Sequence, residues 1–313
     1  MTPALDVVGL GYCSWDYLGT VDHVPEFDAP TVGLSDFAIS GGGPVSTALV
    51  ALARLGARTG YMGAIGDDDP GLNLRRAFGE EGVDISHLRV RPETRSPVCI
   101  CLVQTHTGKR IILCYRGTSG EVELTPADRP YITAARFLHL DGHHMSAAIT
   151  AAQWVQEAGG TVVLDANRPR PRLDELLPRV DILITNDHFP AAYTGEPVLE
   201  RAARQLLVDT GAALVVSTLG ERGCYYVTPA QESHVPGFAV PVVDTTGAGD
   251  AFHGAFIYGL LRGWPLERTA TFANAVAAMN CTALGGRAGL PRLAEVEAFL
   301  QRTGRQTRNL VSK

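Results

Sequence analysis

Short apolar runs recur along the chain, and each is closed by polar or turn-forming residues: Asp6–Leu10 near the start, then FLHLDG, TVVLDAN, DILITN and ALVVST. Runs this short, bounded by turn signals, fit strands buried on both faces. Between them the period changes. In GGGPVSTALVALARLG, Val45, Ala48, Leu49, Leu52 and Leu55 fall at the spacing of one helix face. Pro44 suits the first turn of that helix and Gly56 its C-terminal cap. Ala147–Ala158 and Leu199–Asp209 read as further helices, Asn73–Gly82 as a short one, and TGYMGAIGDDDPG as a strand then a loop. Alternating strands and helices predict an α/β fold with a parallel sheet covered by helices on both faces. Ligands of such sheets bind beyond the carboxyl ends of the strands. Asp141, Asp165, Asn186 and Thr218 are therefore site candidates on position alone.

One stretch breaks the alternation. PVCICLVQTHTGKRIILCYR holds two β-rich runs around T-H-T-G-K, a hairpin signal. It predicts a small sheet standing off the main one. A second stretch, DTTGAGDAFHG, is too rich in glycine for a strand. FAVPVVD reads as a strand ending at Asp244, and the chain from Ala251 reads as a helix carrying Phe252, Ala255, Phe256 and Leu260 on one face and ending at Gly263. Between them the amides of Gly247, Ala248 and Gly249 can converge beside a helix N-terminus, which suits a phosphate. Asp250 at the same place is a helix cap or, beside a phosphate, a base for an attacking hydroxyl.

Composition narrows the classes. The 313 residues suffice for one large domain, and 45% hydrophobic content supports a real core. A net charge of −6 without a long basic block argues against nucleic acid or an anionic membrane as partner. The N-terminus has no basic region followed by an apolar one, and no window reaches ~18 apolar residues. The six cysteines form no C-x-x-C pair and read as buried, reduced thiols of a cytoplasmic protein; Cys99 and Cys101 share one face of a strand. The tail RTGRQTRNLVSK is polar.

DTTGAGDAFHGAF resembles the C-terminal signature of the ribokinase-like (PfkB) carbohydrate kinases. GGGPVSTALVALARLG resembles their N-terminal signature, and VVSTLGERG their nucleotide loop. The resemblance covers nearly the whole chain. It implies a ribokinase-like three-layer α/β/α fold, one kinase domain over 1–313, with a small β lid from about 11–40 and 95–118. It also implies ATP-dependent phosphorylation of a sugar hydroxyl. Asp250 matches the base, and Gly247, Ala248 and Gly249 the anion hole. Asp16, Gly41, Gly42, Gly43, Ser46 and Asp141 match sugar contacts, and Arg287 is a candidate for an anionic end of the substrate. Asn186, Thr218, Gly220, Gly223 and Asn274 match the nucleotide side. Mg²⁺ would ride on the phosphates, and K⁺ would sit at Asp244 and Thr246 with carbonyls from around 280–289. Lid edges of this kind imply a homodimer.

Two residues depart from the family pattern: Ser46 stands where asparagine is usual, and Phe189 where N-x-x-E from Asn186 would place a glutamate, with Asp187 a partial substitute. GGGP without a following asparagine, and FANAVAAMNCTALGGRAGLP, look most like bacterial ketose-type members; sulfofructose kinase shares GGRAG and ketohexokinase has a comparable HIEG in place of HLDG, but the loop EFDAPTVG has no lysine for a sulfonate. A nucleoside kinase is the alternative, with Tyr12, Trp15 and Tyr17 as aromatic walls and His143 and His144 close by. A binding or regulatory protein on the same fold is another, against which the intact GAGD argues. GLGYCS lacks the third glycine of a dinucleotide fingerprint.

Overall fold

The computed structural model describes residues 5–28 and 31–305. Residues 1–4 of the N-terminal stretch, two positions of EFDAPTVG, and 306–313 of the polar tail lie outside the described residues. The chain opens with β1 (Val7–Leu10), β2 (Ser14–Val21), β3 (Asp36–Gly42) and α1 (Pro44–Arg54). β4 (Thr59–Met62), β5 (Ala64–Gly66), α2 (Asp69–Glu80), β6 (Arg89–Arg91), β7 (Val98–Gln104) and β8 (Arg110–Tyr115) follow. Next come α3 (Arg129–Thr133), β9 (Phe137–Leu140), α4 (Met145–Glu157), β10 (Thr161–Ala166), α5 (Leu173–Leu176), β11 (Ile182–Asn186), α6 (Phe189–Thr194), α7 (Leu199–Thr210) and β12 (Leu214–Thr218). The chain closes with β13 (Cys224–Val227), β14 (Glu232–Val235), α8 (Ala248–Leu261), α9 (Leu266–Asn280) and α10 (Leu293–Arg302).

Eight strands form the central sheet in the order β14-β13-β12-β11-β10-β9-β1-β4. β4, β1, β9, β10, β11 and β12 run parallel, while β13 and β14 turn antiparallel at one end. Side chains alternate across a strand, so each apolar run feeds two cores. Val7, Val163, Ile184 and Val216 face α1, α8 and α9; Val8, Leu164, Leu183 and Val215 face α4 and α7. The result is three layers, helix on sheet on helix. Among the described residues no helix is long and apolar enough to cross a membrane.

The hairpin pattern folds as β7 and β8, joined by a turn in which Gly108 takes φ 63. With β2 and β3 they form a second sheet, ordered β3-β2-β7-β8. One face packs Leu18, Cys99, Cys101 and Val103 on Leu284. The other brings Ile39, Tyr17, Ile100 and Leu113 into register across all four strands, and Ile39, Ile100 and Leu113 are exposed.

Three expectations shift. FAVPVVD forms no strand: Val243 N donates to Cys281 O, so the segment leans on the end of α9 and does not pair in the sheet. α8 begins at Ala248, not Ala251, because Gly247 in the left-handed region (φ 72) caps it. Asp250 thus lies within its first turn. α2 starts at Asp69, not Asn73, since Asp68 caps it by accepting from Gly71 N at 3.2 Å, with Pro70 in the first turn.

α8 crosses α1 closely at Gly254, where an added Cβ would overlap Ala48 O and lie 2.9 Å from Ala51 Cβ. Gly254→Val should destabilise by about 1–3 kcal/mol from overpacking, with less than about 1 kcal/mol returned by helix propensity. A urea midpoint equal to wild type would contradict this.

Candidate active site

The parallel strands all end at one edge of the sheet, and a cavity of about 590 Å³ opens there under the second sheet. Of the residues expected from sequence, Asp16, Gly43, Asn186, Thr218, Thr246, Gly247, Gly249 and Asp250 line it. Gly41, Gly42, Ser46, Asp141, Gly220, Gly223, Asp244, Ala248, Asn274 and Arg287 do not line it.

Asp250 projects from the first turn of α8, where backbone amides have no intrahelical partner. Ala248 N is partly used, donating to Thr245 O at 3.3 Å. The turn is held by Asp244, which is fully buried. Its Oδ1 accepts from Thr246 N at 2.8 Å and Thr246 Oγ1 at 2.7 Å, and its Oδ2 from Gly285 N at 2.9 Å. Asn280 Nδ2 donates to Thr246 O at 3.2 Å, leaving Asn280 Oδ1 buried without a donor among the described residues. From β8, Arg110 Nη1 donates to Thr245 Oγ1 at 2.7 Å, so the second sheet touches this turn. Enclosure by protein pushes the Asp250 carboxyl up to about 6, with Arg110 pulling the other way.

On the opposite wall, Asp16 Oδ1 accepts from Ser14 Oγ at 2.5 Å, and burial raises its carboxyl. A Cβ on Gly42 would overlap Asp16 Oδ2, and one on Gly41 would overlap the Arg287 guanidinium. Arg287 is neither on the surface nor in the cavity. It lies buried, with Nη2 donating to Ser46 Oγ at 2.8 Å and Gly42 O at 3.3 Å. Ser46 Oγ in turn donates to Gly42 O at 2.5 Å. Asp141 is tied up too, accepting from Tyr12 N at 2.8 Å and His143 N at 3.0 Å.

The other side is quieter. Asn186 lines the cavity, while its Oδ1 caps α6 by accepting from His188 N and Phe189 N. Asp187 faces Arg222 and His188, each at 3.5 Å. Asn274 ties α9 to the end of β14 through Val235 O at 3.0 Å. Gly223, at φ 92, lets the turn after β12 pass close to Val235 O. Of the three aromatics considered, only Tyr12 lines the cavity. Asp165 and His253 meet at 3.7 Å there, but burial raises the acid and lowers the imidazole, so both favour their neutral forms. The cysteines stay unpaired; Cys114 is exposed, with its Sγ 2.7 Å from that of Cys99.

The model of the pfkB family carbohydrate kinases matches residues 4–293. The chain belongs to that family. An ATP-dependent ribose-1-phosphate kinase of Halopiger xanaduensis is 33% identical over 94% of this chain and 97% of its own. An Agrobacterium tumefaciens protein assigned as a ribokinase shares the fold at TM-score 0.88, with 24% identity over 97% and 100% of the two chains. An E. coli protein assigned as Ribokinase II, solved with ATP and Mg²⁺, superposes at TM-score 0.83, with 25% identity over 95% and 99%. Within this pfkB-family site, several lining residues escape the sequence reading, among them Asn167 and the four arginines Arg110, Arg116, Arg168 and Arg170. The signal for two of them was RPR, directly after TVVLDAN and thus just beyond a parallel strand end.

A raised pKa means that the folded state holds the Asp250 proton more tightly than the unfolded chain does. Stability therefore falls as pH climbs from about 4 to about 6 and levels off above. Asp250→Asn, which cannot ionise, should match wild type in stability near pH 4 and exceed it at pH 7. The gain should be about 1–3 kcal/mol, discounted for water in the cavity. Parallel denaturation curves at all pH values would show an ordinary carboxyl.

Proposed function

We propose that this kinase transfers the γ-phosphoryl group of ATP to a hydroxyl of a small sugar or sugar derivative. The observation that carries the reading is Asp250, standing in the first turn of α8 directly after Gly249, in a cavity that Asp16 also lines. Asp250 takes the hydroxyl proton as the oxygen attacks. The amides about Gly247 and Gly249, the helix N-terminus and the Arg110 charge stabilise the transferring group. Asp16 accepts hydrogen bonds from substrate hydroxyls. Gly41 and Gly42 bring the backbone close, Ser46 and Arg287 brace that wall, and Asp141 fixes the Tyr12–His143 loops. Asn186 and Thr218 border the phosphates, with Gly220, Gly223 and Asn274 shaping the nucleotide side.

The donor set fits Mg²⁺ carried in by the nucleotide: Asn186 and Asn167 line the cavity, and no trio of His, Cys, Asp or Glu converges among the described residues. When bound with the nucleotide, Mg²⁺ would supply positive charge against the charge developing on the phosphates, with Asn186 and Asn167 beside it. A monovalent cation fits the oxygen-only surroundings of Asp244, Thr246 and the unsatisfied Asn280 Oδ1. The second sheet acts as a lid that excludes water. GGRAG favours a ketose, while the 33%-identical relative is named for an aldose phosphate, so both belong in one panel.

The aligned Ile39, Ile100 and Leu113 face favours a second copy of this chain as its cover. Gel filtration should give twice 33.4 kDa, and Ile100→Asp should shift it to the monomer. A wild-type monomer would remove the dimer.

In an ADP-release assay with ATP, Mg²⁺ and K⁺, an acceptor should turn over. Asp250→Asn should bind ATP normally and lose about 10²–10⁴-fold in kcat. Turnover near wild type would exclude Asp250 as the base.

A further inference from the structure

One end of the cavity carries positive charge that the reaction at Asp250 does not use. Arg116 follows β8, Arg168 and Arg170 follow β10, and His143 follows β9; all four line the cavity. Among the described residues, none of these arginines makes an ion pair with a carboxylate. The Arg116 Nη1 lies 3.3 Å from His143 Nδ1, and Arg170 Nη2 lies 3.0 Å from His143 Nε2. A neutral imidazole accepts at only one ring nitrogen. One of these two contacts therefore sets N–H against N–H. Burial and the three guanidiniums hold His143 neutral, its pKa pushed down to about 3, and protonation would not relieve the conflict, since it would set N–H against N–H at both ring nitrogens. The nearest acids do not relieve it either. Asp141 spends its oxygens on the Tyr12 and His143 amides, and burial keeps Asp165 inclined to the protonated form.

The cluster is also in the wrong place for the transferring phosphate. Arg110, at the other end of β8, is the residue bonded to the turn beside Asp250. Six residues along a strand span about 20 Å. Arg168 adjoins the side marked by Asn186, since Asn167 O accepts from Asn186 Nδ2 at 2.9 Å. Arg116 and His143 instead pack on Tyr12, in the loop that leads into β2 and Asp16.

We infer that Arg116, Arg168 and Arg170, with His143 between them, bind a phosphate group already carried by the acceptor, so that the substrate is a sugar phosphate. The inference rests on the kinase reading above. A phosphomonoester dianion offers three terminal oxygens, enough for each guanidinium to find an acceptor. Tyr12 stacks on His143 at 4.8 Å and lies under Arg116, with 6.0 Å from guanidinium carbon to ring centroid, which holds the cluster in place before the substrate arrives.

The test is direct binding by calorimetry to the full chain without nucleotide, at fixed ionic strength. The probes are ribose 1-phosphate, ribose 5-phosphate, fructose 1-phosphate and fructose 6-phosphate, against ribose, fructose and ribonate. At least one ester should bind about 100-fold more tightly than its parent sugar. Arg116→Ala and Arg170→Ala should each weaken that ester about 10–100-fold, leaving the parent sugar and ADP unaffected. Esters no tighter than their parents, variants without effect, or a parallel loss of ADP affinity would overturn it. Ribonate binding best would assign a carboxylate instead and overturn the phosphate. These outcomes are independent of turnover. A kinase for neutral sugars would give parent sugars binding as well as esters while Asp250→Asn still lost activity, whereas failure of the kinase reading would leave Asp250→Asn without effect.

Discussion

The buried Asp244 carboxylate is the interaction from which the site is strung. A fully buried carboxylate is tolerated only when donors replace the water it lost, and here three do, from Thr246 and Gly285. This fixes the turn before α8 to the loop after α9. That loop also carries Arg287, whose backbone carbonyl, with that of Leu290, accepts from Arg54 of α1. Arg54 pairs with Glu81 beyond α2. The Arg287 side chain reaches Ser46 and Gly42, behind Asp16. One run of buried polar contacts thus joins the wall at Asp250 to the wall at Asp16, although they lie more than two hundred residues apart in sequence. The distance between the Asp250 wall and the Asp16 wall is set by this scaffold, not by either loop alone.

Most of the fold was legible because its signals are local. Apolar runs that fill two cores, the helix face of Val45 to Leu55, and the T-H-T-G-K turn each announce themselves within a few residues. FAVPVVD misled because alternating apolar residues look alike whether they pair in a sheet or lean on a helix end; only the tertiary contact of Val243 with Cys281 decides. The site was legible where it is one contiguous motif, from Asp244 to Asp250. It was not legible where charge converges from separate loops. Arg110, Arg116, Arg168 and Arg170 come from two regions some sixty residues apart, and no spacing rule joins them. Ser46 and Arg287 show a different limit. Each read as a substrate contact on its own, but in the fold Arg287 Nη2 donates to Ser46 Oγ, and Arg287 Nη1 stays buried without a partner among the described residues.

The electrostatics of the cavity run against those of the molecule. A chain of net charge −6 gathers four arginines around one opening. Carboxylates close by are either saturated by backbone amides, like Asp141, or pushed by burial towards neutrality, like Asp165. The positive end is therefore kept open by neutralising its acids, not by removing them.

The sheet order has a consequence for the order of synthesis. β1, complete by Leu10, pairs on one side with β4 and on the other with β9, whose partner to Val7 is Phe137. β1 keeps a bare edge until about 130 further residues (137 minus 7) have emerged. The α8 surface that covers α1 arrives only after residue 248. Such long-range closure slows folding and leaves apolar surface exposed while the chain is still growing. The nascent protein is thus most open to chaperones, and to aggregation, between the emergence of α1 and that of β9, when both surfaces are uncovered.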